Sequence, residues 1–319
     1  MSKFIIQGGK KLEGEVKNAA LPIIAATILI QGKTILYNVP NIQDVQTMYE
    51  IIKDIGGKVN KKNNKIIIDT SQIHTYEIPE DLMRKMRSAV ILAGAIVGKY
   101  RKAKFSYPGG CEIGSRPIDL HLKGFEKLGI NIKEEYGEII CNTEKIIGTQ
   151  IHLDFPSVGA TENIILASCL ADGNTILTNA AKEPEIEDLV KFLNKAGAKI
   201  KGAGTDRIEI IGVNRLSEIS YNIMPDRIEA GTYLVAGAIT GGNVKITNAN
   251  PSHIEPVLNK LEEANCELDI GKNYVKIKAP KRIKAVDIKT MPYPGFPTDM
   301  QSIFGTLLST AKGTSIITE

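Results

Sequence analysis

The feature that most constrains the fold is an internal repeat with a period of about 70 residues. Each copy begins with an almost wholly apolar, helix-like run, which a turn joins to a short strand of alternating character. Because a helix that is apolar on nearly every side belongs in a core, we expect these helices to be buried. The five visible copies span residues 21–38, 88–106, 162–179, 231–248 and 301–318.

A second pattern alternates with the first: an amphipathic helix, a strand, a hairpin and a returning strand. Its helix and first strand cover residues 44–59, 119–132, 185–200 and 253–268. Helix C-terminal residues in the left-handed (αL) backbone conformation are predicted at Gly56, Gly129, Gly197 and Asn265. Hairpin turns are predicted at Asn63-Asn64, Tyr136-Gly137, Gly204-Thr205 and Gly271-Lys272. One unit cannot cover its own sheet, so the units must pack together as an α/β protein with helices inside and sheets outside.

Composition excludes several classes of protein. The 319 residues fit two domains, and 43% hydrophobic with 24% charged residues is typical of a soluble globular chain. No apolar run reaches the roughly 18 residues of a membrane span. A net charge of +4 and only 5% aromatic residues argue against a nucleic-acid partner and suit a cleft for anionic small molecules.

Cysteine and histidine usage points to the cytoplasm and away from a metal site. The four cysteines are widely spaced and form no CxxC pair, which is typical of reduced cytosolic thiols. The four histidines are isolated, with no metal-ligand spacing. We therefore expect a cytoplasmic protein without a metal site.

Cys111 lies in a loop that begins Pro108-Gly109-Gly110. Such a turn holds the thiol outside regular structure, and the charge of Arg116 would lower its pKa. A thiol in this setting can act as a general acid or a nucleophile. The alternative, a small buried hydrophobe, is the more common fate of a free cysteine.

Polar segments precede the apolar helices. Lys17-Asn18, Arg87 and Ser157-Val158-Gly159 could each hold an anion at a helix N-terminus, or act only as solvated charges and caps. Asp299 precedes the fifth helix, where it is either an N-cap or a base for a substrate hydroxyl. Since the repeat brings helix starts towards shared surfaces, anionic ligands are expected there.

Taken together, these motifs resemble the UDP-N-acetylglucosamine 1-carboxyvinyltransferases, a family of enolpyruvyl transferases. The resemblance covers nearly the whole chain, and the cysteine loop separates it from the shikimate-type enzymes. Its anchors are the segments 17–22, 108–121, 157–161, 204–208, 225–229 and 296–301. It implies an inside-out α/β barrel of βαβαββ-type units in two domains. Residues 16–223 would form the first domain, and residues 1–15 with 224–319 the second.

The resemblance also implies a reaction and a set of site residues. The enolpyruvyl group of phosphoenolpyruvate moves to the 3-hydroxyl of UDP-N-acetylglucosamine, with release of phosphate, in the first committed step of peptidoglycan synthesis. Cys111 would be the proton donor, the site of a covalent adduct and the target of the antibiotic fosfomycin. Asp299 would be the base. Lys17 would be a further catalytic residue. Substrate contacts would come from Lys17, Asn18, Arg87, Arg116, Pro117, Ile118, Asp119, Leu120, Ser157, Val158, Gly159 and Asp299. The resemblance implies no metal and no organic cofactor.

The repeat count bears on activity. The chain contains five copies of the repeat, and the last copy is partial. The resemblance implies six units, so we expect an incomplete second domain, or a separate polypeptide that supplies the missing unit. The alternative function is a catalytically impaired chain that only binds a UDP-sugar. A shikimate-type transferase is a further alternative, disfavoured by Cys111.

Overall fold

The computed structural model describes residues 20–109 and 118–319. Internal contacts divide these residues into two compact units, one of residues 20–224 and one of Pro225–Glu319. Each unit has its own hydrophobic core.

The first unit contains three copies of the repeat. Its α-helices are α1 (Leu21–Ala26), α2 (Gln43–Asp54), α3 (Glu80–Met83), α4 (Ile91–Tyr100), α5 (Asp119–Lys127), α6 (Val158–Ser168) and α7 (Pro184–Lys195). Its strands are β1 (Ile30–Tyr37), β2 (Lys58–Lys62), β3 (Lys65–Asp69), β4 (Lys102–Ser106), β5 (Asn131–Glu135), β6 (Glu138–Asn142), β7 (Gln150–His152), β8 (Asn174–Thr178), β9 (Lys199–Lys201), β10 (Arg207–Ile211) and β11 (Leu216–Asn222). Short 3-10 helices follow α1 (Thr27–Leu29) and precede α4 (Arg87–Val90).

Three sheets share one plan, with strand orders β11-β1-β3-β2, β4-β6-β5 and β7-β8-β10-β9. Within each copy the strands are antiparallel, as the hairpins require. The residues that follow each copy then pair in parallel with the first strand of the next copy, as β7 does with β8. The third copy closes this pattern, because β11 runs parallel to β1. The helix–strand order predicted for each repeat is confirmed.

Glycines allow the inner helices to approach one another closely. A Cβ on Gly94 of α4 would lie 2.5 Å from the carbonyl oxygen of Asn163 in α6, and one on Gly98 would lie 2.9 Å from that of Leu166. A Cβ on Gly124 of α5 would meet Ile164 of α6 at 2.6 Å. Since protein interiors are close-packed, these positions have no room for a side chain. The expected burial of the first-pattern helices in this unit is confirmed for α1, α4 and α6.

The predicted helix ends and hairpin turns are confirmed. Gly56, Gly129, Gly197 and Asn265 all have positive φ, between 70° and 110°, just after a helix. The four predicted turns each join two antiparallel strands. Arg101, the C-cap of α4, also has a positive φ of 62°. Its guanidinium group donates hydrogen bonds to the carbonyls of Gly98 and Leu170, near the ends of α4 and α6.

The second unit begins with α8 (Arg227–Ile239), whose N-cap Asp226 accepts hydrogen bonds from the amides of Ile228 and Glu229. Its other α-helices are α9 (Glu255–Glu263) and α10 (Gln301–Leu308), with 3-10 helices at Pro251–His253 and Thr298–Met300. Its strands are β12 (Asn243–Thr247), β13 (Glu267–Ile270), β14 (Tyr274–Lys278), β15 (Ile288–Lys289) and β16 (Ile317–Thr318). They form a β12-β14-β13 sheet and a parallel β15-β16 pair.

The core of the second unit is built from α8, α9 and α10 against these strands. Phe296 and Phe304 pack edge-to-face with ring centroids 5.2 Å apart. Among the helices that the structure describes in either unit, none is long and apolar enough to cross a bilayer.

Candidate active site

The predicted site residues divide into two groups. Lys17, Asn18, Cys111, Arg116 and Pro117 lie outside the described residues. The positions of the others are given by the structure: Arg87, Ile118, Asp119, Leu120, Ser157, Val158, Gly159 and Asp299.

The start of α6 carries three of the predicted substrate contacts. Ser157 is the N-cap, with extended backbone and a side chain that accepts a hydrogen bond from the Ala160 amide at 3.3 Å. Val158 and Gly159 form the first turn and are partly exposed. The free amides of a helix start carry partial positive charge, which favours an anion. The capping role of Ser157 is confirmed, and an anion-binding role for this turn stays a prediction.

The start of α5 lies beside the start of α6. Ile118 is buried, Asp119 is exposed in the first turn and Leu120 is partly buried. The next residue, His121, is only 6% exposed. A Cβ on Gly159 would lie 3.1 Å from its Cε1 and 3.5 Å from its Nε2, so the imidazole faces the first turn of α6.

His121 is held in its neutral form. Burial, the main cause, and the positive charge of Arg87 together lower its pKa to about 4, and the negative charge of Asp119 opposes them. The imidazole is therefore uncharged near neutral pH. Arg87 opens the 3-10 helix that leads into α4, so the structure brings Arg87, Asp119 and the start of α6 into one neighbourhood around this ring.

Asn163, one turn into α6, connects this neighbourhood to α4. Its Oδ1 accepts a hydrogen bond from the Gly94 amide at 2.7 Å, and its Nδ2 donates to the Val90 carbonyl at 3.0 Å. It thereby contacts two backbone groups of the first turn of α4, four residues apart in sequence. Nδ2 also lies 2.6 Å from Nδ1 of His121.

Glu162 is a buried acid next to Asn163. Burial is the main cause of the rise in its pKa to about 8, and the negative charges of Glu185 and Glu183 at the start of α7 add to it. The carboxyl group is therefore mostly protonated at pH 7. Three successive polar residues in the middle of a core helix, Thr161, Glu162 and Asn163, distinguish α6 from its neighbours.

A cleft of about 440 Å³ opens on the other side of α5, against β7. Leu120, Ile151 and Leu153 provide its apolar lining. Lys123 and Asp154 form an ion pair at its edge, with Nζ 3.0 Å from Oδ2. Such a mixed lining is compatible with a flat, polar-edged group such as a nucleobase.

Asp299 lies in the second unit. It is exposed, inside the 3-10 helix Thr298–Met300, and the N-cap position of that helix is Pro297, which makes no side-chain cap. The N-cap alternative for Asp299 is therefore wrong, because Asp299 lies two residues after Pro297 and one residue before Met300, the N-cap of α10, and neither helix has a side-chain cap. Its role as a base stays a prediction.

Comparison with known proteins decides the family. The profile of the family described as EPSP synthase (3-phosphoshikimate 1-carboxyvinyltransferase) matches residues 5–319. UDP-N-acetylglucosamine 1-carboxyvinyltransferase 2 of Caldanaerobacter subterraneus subsp. tengcongensis is 54% identical over all of this chain and 78% of its own length. The enzyme of the same name from Clostridium tetani is 49% identical over the same shares. The chain belongs to the UDP-N-acetylglucosamine 1-carboxyvinyltransferase family. The resemblance inferred from the sequence motifs is confirmed.

Solved structures agree on the fold of this family member. The enolpyruvyl transferase NikO from Streptomyces tendae matches with a TM-score of 0.84, at 21% identity, over 98% of this chain and 77% of that one. EPSP synthase from Acinetobacter baumannii matches with a TM-score of 0.68, at 18% identity, over 98% and 75%. The α/β fold expected from the repeat, and the enolpyruvyl transferase fold implied by the resemblance, are confirmed.

Sequence reasoning missed His121, Glu162 and Asn163 as parts of the site. His121 was grouped with isolated histidines, because no metal-ligand spacing surrounds it. The signal that could have found the other two is chemical: a carboxylate and an amide interrupt an otherwise apolar helix. Polar groups inside a core need partners, so each such interruption indicates a specific contact.

Proposed function

We propose that this chain transfers the enolpyruvyl group of phosphoenolpyruvate to the 3-hydroxyl of UDP-N-acetylglucosamine and releases phosphate, the first committed step of peptidoglycan synthesis. The observation that carries the proposal is 46–54% identity, over the full chain, to relatives named for this reaction. The loop of residues 108–121, with Cys111 and Arg116, adds a motif that the shikimate-type enzymes lack.

The proposed contacts follow the charges of the substrates. Residues 157–159 at the start of α6 bind the diphosphate, since free helix amides favour anions. Arg116, Pro117, Ile118, Asp119 and Leu120 line the uridine side. Lys17, Asn18 and Arg87 hold the phosphate and carboxylate of phosphoenolpyruvate.

The proposed chemistry is an addition followed by an elimination. As Asp299 takes the proton of the 3-hydroxyl, the oxygen attacks C2 of phosphoenolpyruvate, and Cys111 donates a proton to the methylene carbon C3. The second step removes a proton from C3 and expels phosphate, which restores the carbon–carbon double bond. No electrons are gained or lost overall, so the proposal requires no redox cofactor.

Phosphate release with both substrates tests the proposal. We expect turnover with UDP-N-acetylglucosamine and none when 3-phosphoshikimate replaces it. A folded protein that releases no phosphate from either pair would overturn the catalytic proposal and favour the chain that only binds a UDP-sugar. Turnover with 3-phosphoshikimate alone would favour the shikimate-type alternative.

The role of Cys111 has its own test. Fosfomycin should add its mass to the wild-type protein and not to Cys111→Ser, and that variant should lose turnover. A Cys111→Ser variant with full turnover would remove the thiol from the mechanism.

We also propose that the protein acts in the cytoplasm, because both substrates are multiply charged and do not cross a bilayer unaided.

A further inference from the structure

The imidazole of His121 has one nitrogen engaged and one free. Nδ1 faces Asn163 at 2.6 Å, while Nε2 makes no hydrogen bond to any of residues 20–109 or 118–319. The side chain is only 6% exposed, and its free edge faces Gly159 in the first turn of α6. Nε2 is not among the fully buried polar atoms of the described residues, so a ligand at the start of α6 can reach it and complete its hydrogen bonding.

The hydrogen-bond network fixes which nitrogen carries the proton. Oδ1 of Asn163 accepts from the Gly94 amide, and Nδ2 donates to the Val90 carbonyl. If the side-chain amide of Asn163 were reversed, its NH₂ would face the Gly94 N–H and its oxygen would face the Val90 carbonyl. Neither pair can form a hydrogen bond, so the orientation of the amide is determined. The remaining hydrogen of Nδ2 points to His121 Nδ1, which must therefore accept. In a neutral imidazole the proton is then on Nε2.

The surroundings determine what Nε2–H can bind. The free amides at the start of α6 and the charge of Arg87 make this neighbourhood positive, and a neutral imidazole adds a donor without adding a further charge. The carboxylate of Asp119 is the opposing group. A ligand oxygen of an anion satisfies these donors together.

We propose that His121 donates a hydrogen bond from Nε2 to a phosphate oxygen of the UDP-sugar, and that Asn163 is the positioning residue that fixes this tautomer. The inference rests on the proposed function, because the ligand is the substrate named there. It adds His121 as a specific donor and Asn163 as the residue that holds it in place. Asn163 is itself fixed by Gly94, which lies 69 positions away in sequence.

A matched pair of substitutions separates the two nitrogens. In His121→Gln the amide nitrogen can occupy the position of Nε2, while His121→Asn retains only a group at the position of Nδ1. Calorimetry should show His121→Gln within about threefold of the wild-type affinity for UDP-N-acetylglucosamine, and His121→Asn about 10- to 100-fold weaker, as expected for a lost bond to a charged group. Uridine, which has no phosphate, should bind both variants as it binds the wild type.

The opposite order overturns the proposal. If His121→Asn binds UDP-N-acetylglucosamine like the wild type while His121→Gln binds it more weakly, only the contact to Asn163 matters. Equal losses for uridine and UDP-N-acetylglucosamine show a general structural defect and overturn it as well. If the wild type binds no UDP-N-acetylglucosamine, the substrate assignment fails and the ligand half of this inference falls with it.

Nitrogen-15 NMR of the histidines in the unliganded wild type tests the tautomer without any substitution. We expect Nδ1 of His121 to be unprotonated and Nε2 to carry the proton from pH 6 to 8. An Nδ1–H tautomer, or an imidazolium at pH 7, would overturn the role of Asn163 even if the affinity data show that UDP-N-acetylglucosamine binds.

Discussion

Helices α4 and α6 occupy equivalent places in consecutive repeats, and both are buried, yet their side chains differ in kind. From Ile91 to Gly98, α4 presents only aliphatic side chains and glycine. In the same core, α6 buries Thr161, Glu162, Asn163 and Ser168. Burying polar groups costs free energy unless they gain partners. The comparison shows that an apolar helix is sufficient at the position of α4, and that Thr161 and Asn163 of α6 make contacts specific to this copy.

The largest expected effect is at the contact between the two helices. In Gly94→Val, the Cβ would lie 2.4 Å from Asn163 Oδ1 and 2.5 Å from its carbonyl oxygen. We expect the free energy of unfolding to fall by about 3 kcal/mol or more, measured by urea denaturation. The control is Gly305→Ala in α10, where the nearest atom is 3.4 Å away, and which should be neutral or slightly stabilising. Equal losses at both positions would show that the helix contact is not special.

The second prediction concerns Glu162, a buried acid with no counterpart in α4. Because the pKa of Glu162 is about 8 in the folded chain and near 4.5 when unfolded, the native state binds the extra proton between these values. Its contribution to stability is fully present below pH 4.5 and is lost as pH rises through 8, by about 1.4 kcal/mol per pH unit.

Glu162→Gln should remove this decline. Urea denaturation at pH 5.5, 6.5 and 7.5 should therefore show the variant gaining stability relative to the wild type as the pH increases. Two curves that stay parallel over this range would mean that Glu162 does not titrate as a buried acid.

A third prediction compares two buried threonines. Thr161 Oγ1 of α6 accepts a hydrogen bond from the Ala181 amide at 3.1 Å. Thr161→Val leaves that amide without an acceptor and should cost about 2 kcal/mol in thermal or urea unfolding. Thr175 Oγ1 is buried and makes no hydrogen bond within the described chain, so Thr175→Val should be neutral or stabilising. The reverse order would contradict this assignment of partners.

The smallest effect is expected at the helix starts. Ser157 caps α6, whereas neither Val90 at the start of α4 nor Met86 before its 3-10 turn makes a side-chain cap. Ser157→Ala should lower stability by about 1 kcal/mol. Ser88→Ala, in the 3-10 turn that leads into α4, is the control and should change little. A loss of affinity for UDP-N-acetylglucosamine in the first variant alone would also support the anion-binding role of this turn.

The sequence predicts much of the fold because repetition is visible in one dimension. Gly56, Gly129 and Gly197 predict the helix ends, and the apolar runs predict the buried helices, since both depend on local backbone and side-chain properties. The Asn163–Gly94 contact could not be predicted in this way. It joins different repeats through a close approach of two helices, which no period or propensity encodes.

The candidate site was predictable to a similar limit. Motif resemblance identifies Ser157 and Leu120, but it gives no protonation state, and those of His121 and Glu162 depend on how deeply neighbouring elements bury them. Asp299 shows another limit, because it lies between two N-cap positions, two residues after Pro297 and one before Met300, and the exact start of a helix is not fixed by the local sequence.

The parallel pairing of β11 with β1 has a consequence for synthesis of the chain. Ile30 pairs with Leu216, and Tyr37 with Asn222, so the first sheet cannot be completed until nearly the whole first unit has left the ribosome. At usual elongation rates of 5–20 residues per second, this leaves one edge of β1 open for about 10–40 s. Folding is then dominated by contacts distant in sequence, which are slow to form. The nascent chain therefore needs protection from aggregation during that interval.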